Sequence, residues 1–159
     1  MRKITVISAI LLMLLCFVGC SHDYVEDYGA ELCGFWECEK LIMDNTEYTE
    51  TFMDSKIPIS AVYTLAVSSD GTGWLGSPMS TLYGDTETKQ SFRWTADKNG
   101  LTINGEDSKD EILLEYIENK LIMTRGEGDD EVKVWFTKVE KFSEFSPDMI
   151  TDTEKGENK

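Results

Sequence analysis

Cysteine, histidine and carboxylate side chains are the groups in this sequence that could do chemistry. The chain has four cysteines and 30 acidic residues, but its one histidine, His22, lies near the N-terminus. Nucleophilic sites of the Ser-His-Asp or Cys-His type need a histidine beside the nucleophile, and a structural zinc site needs four ligands. The sequence therefore predicts no histidine-based enzyme, no metal site and no cofactor.

Paired carboxylates are the remaining candidate for catalysis, since two of them can hydrolyse a glycoside. The acids cluster in turn-like runs instead, such as Asp97-Lys98-Asn99-Gly100 and Asp129-Asp130-Glu131. Asp, Asn and Gly are the residues that tight turns favour, and neither run has the full spacing of a calcium loop. We expect solvated turns and a protein that is not an enzyme, with a carboxylate-based glycoside hydrolase as a remote alternative.

The first 20 residues have the layout of a secretory signal peptide. Two cations, Arg2 and Lys3, precede an apolar run over residues 4–18, and Gly19 and Cys20 follow it. The run falls short of the roughly 20 apolar residues that cross a membrane, and a small residue before the cut is typical of a signal peptide. The segment therefore predicts export.

The end of this segment, Phe17-Val18-Gly19-Cys20, resembles the lipobox of bacterial lipoproteins. The resemblance implies that residues 1–19 are removed, that Cys20 is lipidated, and that the membrane is a partner through its acyl chains, two or more of which anchor stably. Ser21 is similar to an outer-membrane sorting signal, which implies a bacterial cell-envelope location with the membrane face left open. Ordinary secretory cleavage nearby and an uncleaved N-terminal anchor are the alternatives.

The charge balance limits the class of partner. The formal charge is −15, and loss of Arg2 and Lys3 with the leader lowers it to −17. Nucleic acid phosphates and anionic lipid surfaces are bound by clustered Lys and Arg, so we expect no nucleic acid partner. A cationic ligand or partner stays open.

Only Cys33 and Cys38 are left to pair once Cys16 and Cys20 are assigned to the leader and the lipid. Five residues of extended strand separate two positions by roughly 16 Å, whereas a disulfide needs Cα atoms about 4.4 to 6.8 Å apart. A bridge would need a sharp bend at Gly34. The spacing favours free thiols.

The remainder of the chain reads as one all-β domain between two polar segments. Residues 20–31 and 143–159 are rich in acids and predict a tether and a flexible tail, and residues 32–142 contain alternating apolar segments separated by turn residues. An antiparallel meander of eight or nine strands must close or protect its edges, and eight strands close into a small barrel. A two-sheet sandwich is the alternative. The predicted strands are Phe35–Ile42, Tyr48–Met53, Ala61–Ser68, Gly73–Leu75, Gln90–Thr95, Leu101–Ile103, Glu111–Ile117, Leu121–Arg125 and Val132–Val139.

The triplet Gly34-Phe35-Trp36 resembles the G-x-W signature on the first strand of lipocalins, and the run of strands to Phe142 is similar to small lipocalin-like domains of bacterial lipoproteins. The resemblance implies an up-and-down β-barrel that Trp36 caps at its closed end. It also implies an arginine from a late strand over that tryptophan, for which Arg125 and Arg93 are the candidates.

These observations predict a lipid-anchored, non-catalytic binding module whose barrel lumen holds a small apolar ligand. The alternative is a surface interaction or structural protein with a filled barrel, for which Trp74 and Trp135 are candidate exposed aromatic anchors of a protein partner. The predicted lumen residues are Trp36, Tyr63, Leu65, Phe92, Trp94, Leu114 and Tyr116.

Overall fold

A computed structural model describes residues 28–53, 55–86, 88–105 and 111–146. The predicted signal peptide, Cys20 and His22 lie outside the described residues, as does the tail from residue 147. The described chain forms one short helix, α1 (Tyr28–Leu32), and nine strands. The strands are β1 (Gly34–Met43), β2 (Thr46–Tyr48), β3 (Thr64–Val67), β4 (Thr72–Gly76), β5 (Lys89–Asp97), β6 (Gly100–Gly105), β7 (Glu111–Ile117), β8 (Lys120–Arg125) and β9 (Val132–Val139).

Eight of the strands close into an antiparallel barrel. Neighbours follow the order β1-β3-β4-β5-β6-β7-β8-β9, and β9 pairs back onto β1. The short strand β2 adds to β1 beyond the end of β3, where Leu41 lies opposite Tyr48. Closure satisfies the backbone groups that an open meander would expose at its edges. The predicted all-β barrel is confirmed, and the two-sheet sandwich is excluded.

A β-bulge in β1 reverses the inward alternation of that strand. Cys38 pairs with Phe136 and Lys40 with Trp135, which leaves Glu39 as the extra residue. Trp36 and Cys38 point inward before the bulge and Leu41 points inward after it, so buried positions are three apart there. The bulge lets one long strand serve both the barrel and the β2 hairpin.

The predicted strand Tyr48–Met53 is wrong in extent, because strand pairing stops at Tyr48. The chain then makes an irregular loop in which Thr51 and Pro58 form an isolated bridge. It ends in a 3₁₀ turn at Ile59–Ala61, so β3 starts at Thr64 and not at residue 61. Ile59 and Val62 of this connection are buried in the barrel core.

The two ends of the barrel differ, and we name them by what lies there. At the closed end, where β1 starts and β9 ends, α1 places Leu32 in the core, and the indole Nε1 of Trp36 donates to the Leu32 carbonyl oxygen at 3.0 Å. The open end is where β4, β6 and β8 stop. Because α1 packs against the barrel, the ordered domain begins within the range predicted as a tether.

The chain beyond β9 folds back over the outer face of the barrel. The Phe142 ring lies between Phe35 and Trp74, with ring centroids 4.9 and 5.1 Å away. The backbone N–H of Ser143 donates to the Glu37 carboxylate, and the Ser143 hydroxyl does so at 2.9 Å. This contact keeps Glu37 buried on the outside of β1 although it carries a carboxylate. The first residue of the predicted tail is therefore attached to the barrel.

Candidate functional site

A cavity of about 410 Å³ lies at the open end, between β4 and β8. Its wall is built from inward positions of five successive strands and from the residues where those strands stop. The lining residues are Leu75, Gln90, Ser91, Phe92, Ile103, Gly105, Ile112, Arg125 and Gly126. Cavities of roughly 300 to 1,000 Å³ with mostly apolar walls are typical of small-molecule sites.

Phe92 forms the floor of the cavity because Gly73 lies opposite it. The two residues pair across β4 and β5, and a Cβ at position 73 would come within 2.4 Å of both the Phe92 ring and the Ala66 carbonyl oxygen. Without that Cβ, the phenyl ring can lie flat across the neighbouring strand. Phe92 and Ile103 are almost fully buried, so the base of the cavity is apolar.

The rim of the cavity is polar and carries a cation. Leu121 and Met123 point into the core from β8, and the period of two puts Arg125 on the same face, where β8 reaches solvent. Gln90, on the same face of β5 as Phe92, supplies an amide to the same cavity. Among the described residues, no acidic side chain forms an ion pair with Arg125.

The seven predicted lumen residues belong to one packed cluster, but they do not line one cavity. Phe92 lines the cavity at the open end. Trp36, Leu65 and Leu114 have at most 1% of their surface accessible. A side chain without accessible surface adjoins no water-sized space, so these three fill the middle of the barrel.

The other three predicted residues are half-buried and lie away from the cavity. Trp94 donates its Nε1–H to the carbonyl oxygens of Ser68 and Thr72, each at 3.0 Å, near the closed end. Tyr116 packs edge-on against Trp36 and lines a smaller pocket beside α1. Tyr63 packs against the core just before β3.

The cation beside Trp36 is Lys138, so the prediction of Arg125 or Arg93 is wrong. Lys138 lies directly across from Trp36 in the pairing of β1 and β9, and its Nζ is 5.5 Å from the indole centroid. The Lys138 Nζ also donates to the Glu31 carbonyl oxygen at 2.7 Å, which ties α1 to β9. Arg125 is at the opposite end of the barrel, and Arg93 points outward from β5.

The outer tryptophans each carry a lysine over the ring. Lys89 Nζ is 4.0 Å from the Trp74 centroid, and Lys40 Nζ is 4.2 Å from that of Trp135. Trp74 also contacts Phe142. Both indoles are half-buried, and their role as anchors for a protein partner remains a prediction.

The two cysteines of the domain are free thiols, as their spacing predicts. Cys38 is buried, and burial raises its pKa from 9.0 to about 12. A thiol with that pKa stays protonated at neutral pH and is a poor nucleophile. Cys33 lies just before β1, and its Sγ donates to the Gly29 carbonyl oxygen at 3.3 Å.

The described residues contain no metal centre, and the cavity at the open end has no acidic or histidine side chain in its lining. No group of three metal-ligating side chains occurs within the described ranges, and the described cavity lining contains no Cys either. The exposed Asp70 has a pKa below its usual 3.8, because its carboxylate accepts hydrogen bonds from the side chain and backbone N–H of Thr72. That geometry is typical of a turn.

Comparisons by sequence and by structure found no matching family model, curated protein or solved structure. Within the described ranges, no helix has the length and apolar character needed to cross a membrane.

Of the residues that line the cavity, the sequence prediction of the lumen included Phe92 and missed Leu75, Gln90, Ser91, Ile103, Gly105, Ile112, Arg125 and Gly126. Strand parity could have found Ile112 and Arg125, because each shares a face with a buried neighbour two residues away. Strand parity does not indicate where along the barrel axis the packed core ends and the cavity begins.

Proposed function

We propose that this protein is a lipid-anchored, non-catalytic binding module of the bacterial cell envelope that holds a small apolar molecule at the open end of its barrel. The observation that carries the proposal is the cavity of about 410 Å³ with Phe92 and Ile103 as its base. Apolar surface removed from water contributes about 25 cal/mol per Å². The half-buried Leu75 and Ile112 supply most of the exposed apolar surface of the cavity, and a small apolar ligand gains free energy in proportion to the area of it that it covers.

The barrel makes the cavity wall rigid before any ligand arrives. The strands that form the wall are hydrogen-bonded on both sides in the closed barrel, so a ligand has little backbone to order when it binds. Preorganised sites lose less free energy to ordering than flexible ones do. The packed middle of the barrel confines the proposed site to the open end.

The cell-envelope part of the proposal depends on the lipobox resemblance around Cys20 and on the lipocalin-like G-x-W triplet at Gly34-Phe35-Trp36. In it, acyl chains on Cys20 hold the protein in the membrane, and the outer membrane is the favoured site. The chain between Cys20 and α1 would then reach the barrel at its closed end, which leaves the open end facing away from the point of attachment.

A second candidate function is that of a surface interaction or structural protein. The filled middle of the barrel, with Leu65 and Leu114 fully buried, is the observation that favours it. The two candidates differ in whether the cavity at the open end is used.

A cavity-filling variant tests the proposal. In the complete mature chain from residue 20, with Cys20→Ser to prevent acylation, we expect saturable binding of the neutral fluorescent probe N-phenylnaphthylamine. Ile112→Trp should fill the cavity and abolish binding, whereas Leu113→Trp, on the outward face of the same strand, should leave binding unchanged. Absence of saturable binding, or equal loss in both folded variants, would contradict the proposal.

A further inference from the structure

The cavity pairs an apolar base with a cation at its rim. We propose that its ligand is an amphiphile with one anionic headgroup, a carboxylate or a phosphate, bound by Arg125. This inference rests on the proposed function and adds the chemical class of the ligand to it.

Strand pairing places Arg125 above the cavity. In the register of β8, Met123 lies opposite Leu114 of β7 and Val134 of β9, and all three are buried core residues. Arg125 comes two residues later on the same face, at the last position of β8. Its side chain therefore starts from the inner wall and ends at the rim.

Arg125 forms no ion pair with any carboxylate of the described residues. Three lysines on the barrel surface have carboxylate partners: Lys40 pairs with Glu47, Lys120 with Glu39, and Lys133 with Glu131. Two more lysines, Lys89 and Lys138, lie over indole rings. Among the described residues, Arg125 has neither kind of partner.

The polar groups beside Arg125 suit an anion. The guanidinium presents N–H donors in a planar fork that matches carboxylate and phosphate oxygens. Gln90 adds an amide that can donate to the same oxygens. Acidic residues lie near this rim: Glu111 and Glu115 border an outer groove that Arg125 also touches, and the loop after β8 carries Glu127, Asp129, Asp130 and Glu131. Among the described residues, none of these carboxylates forms an ion pair with Arg125.

The net negative charge of the chain disfavours an anionic ligand, but only at long range. A chain of formal charge −15 attracts cations at long range, but salt screens such attraction beyond about 8 Å under physiological conditions. A headgroup at the rim contacts Arg125 directly. Direct contact with Arg125 therefore favours an anionic headgroup over a neutral one.

Three probes with the same chain and different headgroups test this assignment. Dodecanoate, dodecyl phosphate and dodecanol, each below its micelle concentration, compete with N-phenylnaphthylamine for the mature chain carrying Cys20→Ser. We expect one or both anions to bind more tightly than dodecanol, and the stronger anion identifies the headgroup. Arg125→Gln should weaken binding of that anion roughly tenfold to a hundredfold, as expected for a lost charge-assisted hydrogen bond, and leave dodecanol unchanged.

Two further variants separate the headgroup contact from general effects. Arg93→Gln removes the same charge from an outward position on β5 and should change none of the three affinities. Arg125→Lys keeps the charge but loses the planar fork and should give an intermediate loss. Equal losses for dodecanoate and dodecanol, or an equal effect of Arg93→Gln, would overturn the inference.

The outcome for dodecanol distinguishes the two proposals. If dodecanol binds and no anion binds better, only the headgroup assignment fails. If no probe binds to the parent protein, the proposed function fails with it.

Discussion

The ring of Phe92 occupies the space that a side chain at Gly73 would need. The two residues face each other across β4 and β5, and a Cβ on residue 73 would lie 2.4 Å from the ring. The base of the cavity is therefore shaped by the absence of a side chain on the neighbouring strand.

Gly73→Ala should destabilise the barrel and weaken binding at the open end. The added methyl group meets both the Phe92 ring and the Ala66 carbonyl oxygen, and overpacking of this kind typically costs about 1–3 kcal/mol. Urea denaturation measures the cost. In a Phe92→Leu background the cost should be smaller, because the ring contact is gone; an unchanged cost would contradict the account of this contact.

Ser143→Ala should destabilise the fold although residue 143 lies outside the barrel. The change removes the hydroxyl that donates to the buried Glu37 carboxylate at 2.9 Å, and a buried acceptor that loses a partner costs about 1–3 kcal/mol. Ser146→Ala is the control and should stay within about 0.5 kcal/mol. Equal unfolding free energies for the two variants would show that the contact with Glu37 does not stabilise the fold.

Cys38 should resist alkylation in the folded protein while Cys33 reacts. Burial raises the Cys38 pKa to about 12, so its thiolate is scarce at pH 8, and its side chain is shielded as well. Mass spectrometry after timed iodoacetamide labelling distinguishes the two thiols. Fast labelling of Cys38 without denaturant would mean that the thiol is not held in the core.

The buried Cys38 thiol should make the fold less stable in alkaline solution. The folded pKa of Cys38 lies above the ordinary value of 9.0, so the folded state holds the proton more tightly than the unfolded state does. Its contribution is complete below about pH 9 and is lost as the pH rises towards 12. Cys38→Ala should make the unfolding free energy less dependent on pH over that interval, and an unchanged dependence would contradict the assignment.

Thr72→Val should raise the pKa of Asp70 towards 3.8. The hydroxyl and backbone N–H of Thr72 both stabilise the ionised carboxylate, and the substitution removes the first of them. Titration followed by carboxyl carbon NMR measures the change, with Thr81→Val as the control. A lower or unchanged Asp70 pKa would be the contrary result.

Much of the fold was predictable because most strands alternate cleanly. In β7, and in β5 from Phe92 onward, buried or half-buried side chains occur at every second position. The turn at Glu118 and Asn119 adopts the positive φ angles that tight hairpins require. The bulge at Glu39 reverses the alternation of β1, and pairing of the following segment stops at Tyr48. Periodicity does not indicate where such irregularities fall.

The candidate site was less predictable, because alternation identifies a face of a strand but not a depth in the barrel. Leu114 and Ile112 share one face of β7, yet Leu114 is fully buried and Ile112 lines the cavity. The difference depends on what fills the barrel at each level, including Leu32 from α1 and Ile59 from the loop before β3. These long-range contacts leave no local pattern in the sequence.

Methyl NMR of the mature chain during titration with N-phenylnaphthylamine tests the binding claim most directly. We expect saturable shifts for Leu75, Ile103 and Ile112, which line the cavity, with the methyl groups of Leu65 and Leu114 in the filled middle almost unchanged. Shifts confined to outward residues such as Leu113 and Ile117, or no saturable shift at all, would contradict a ligand site at the open end of this barrel.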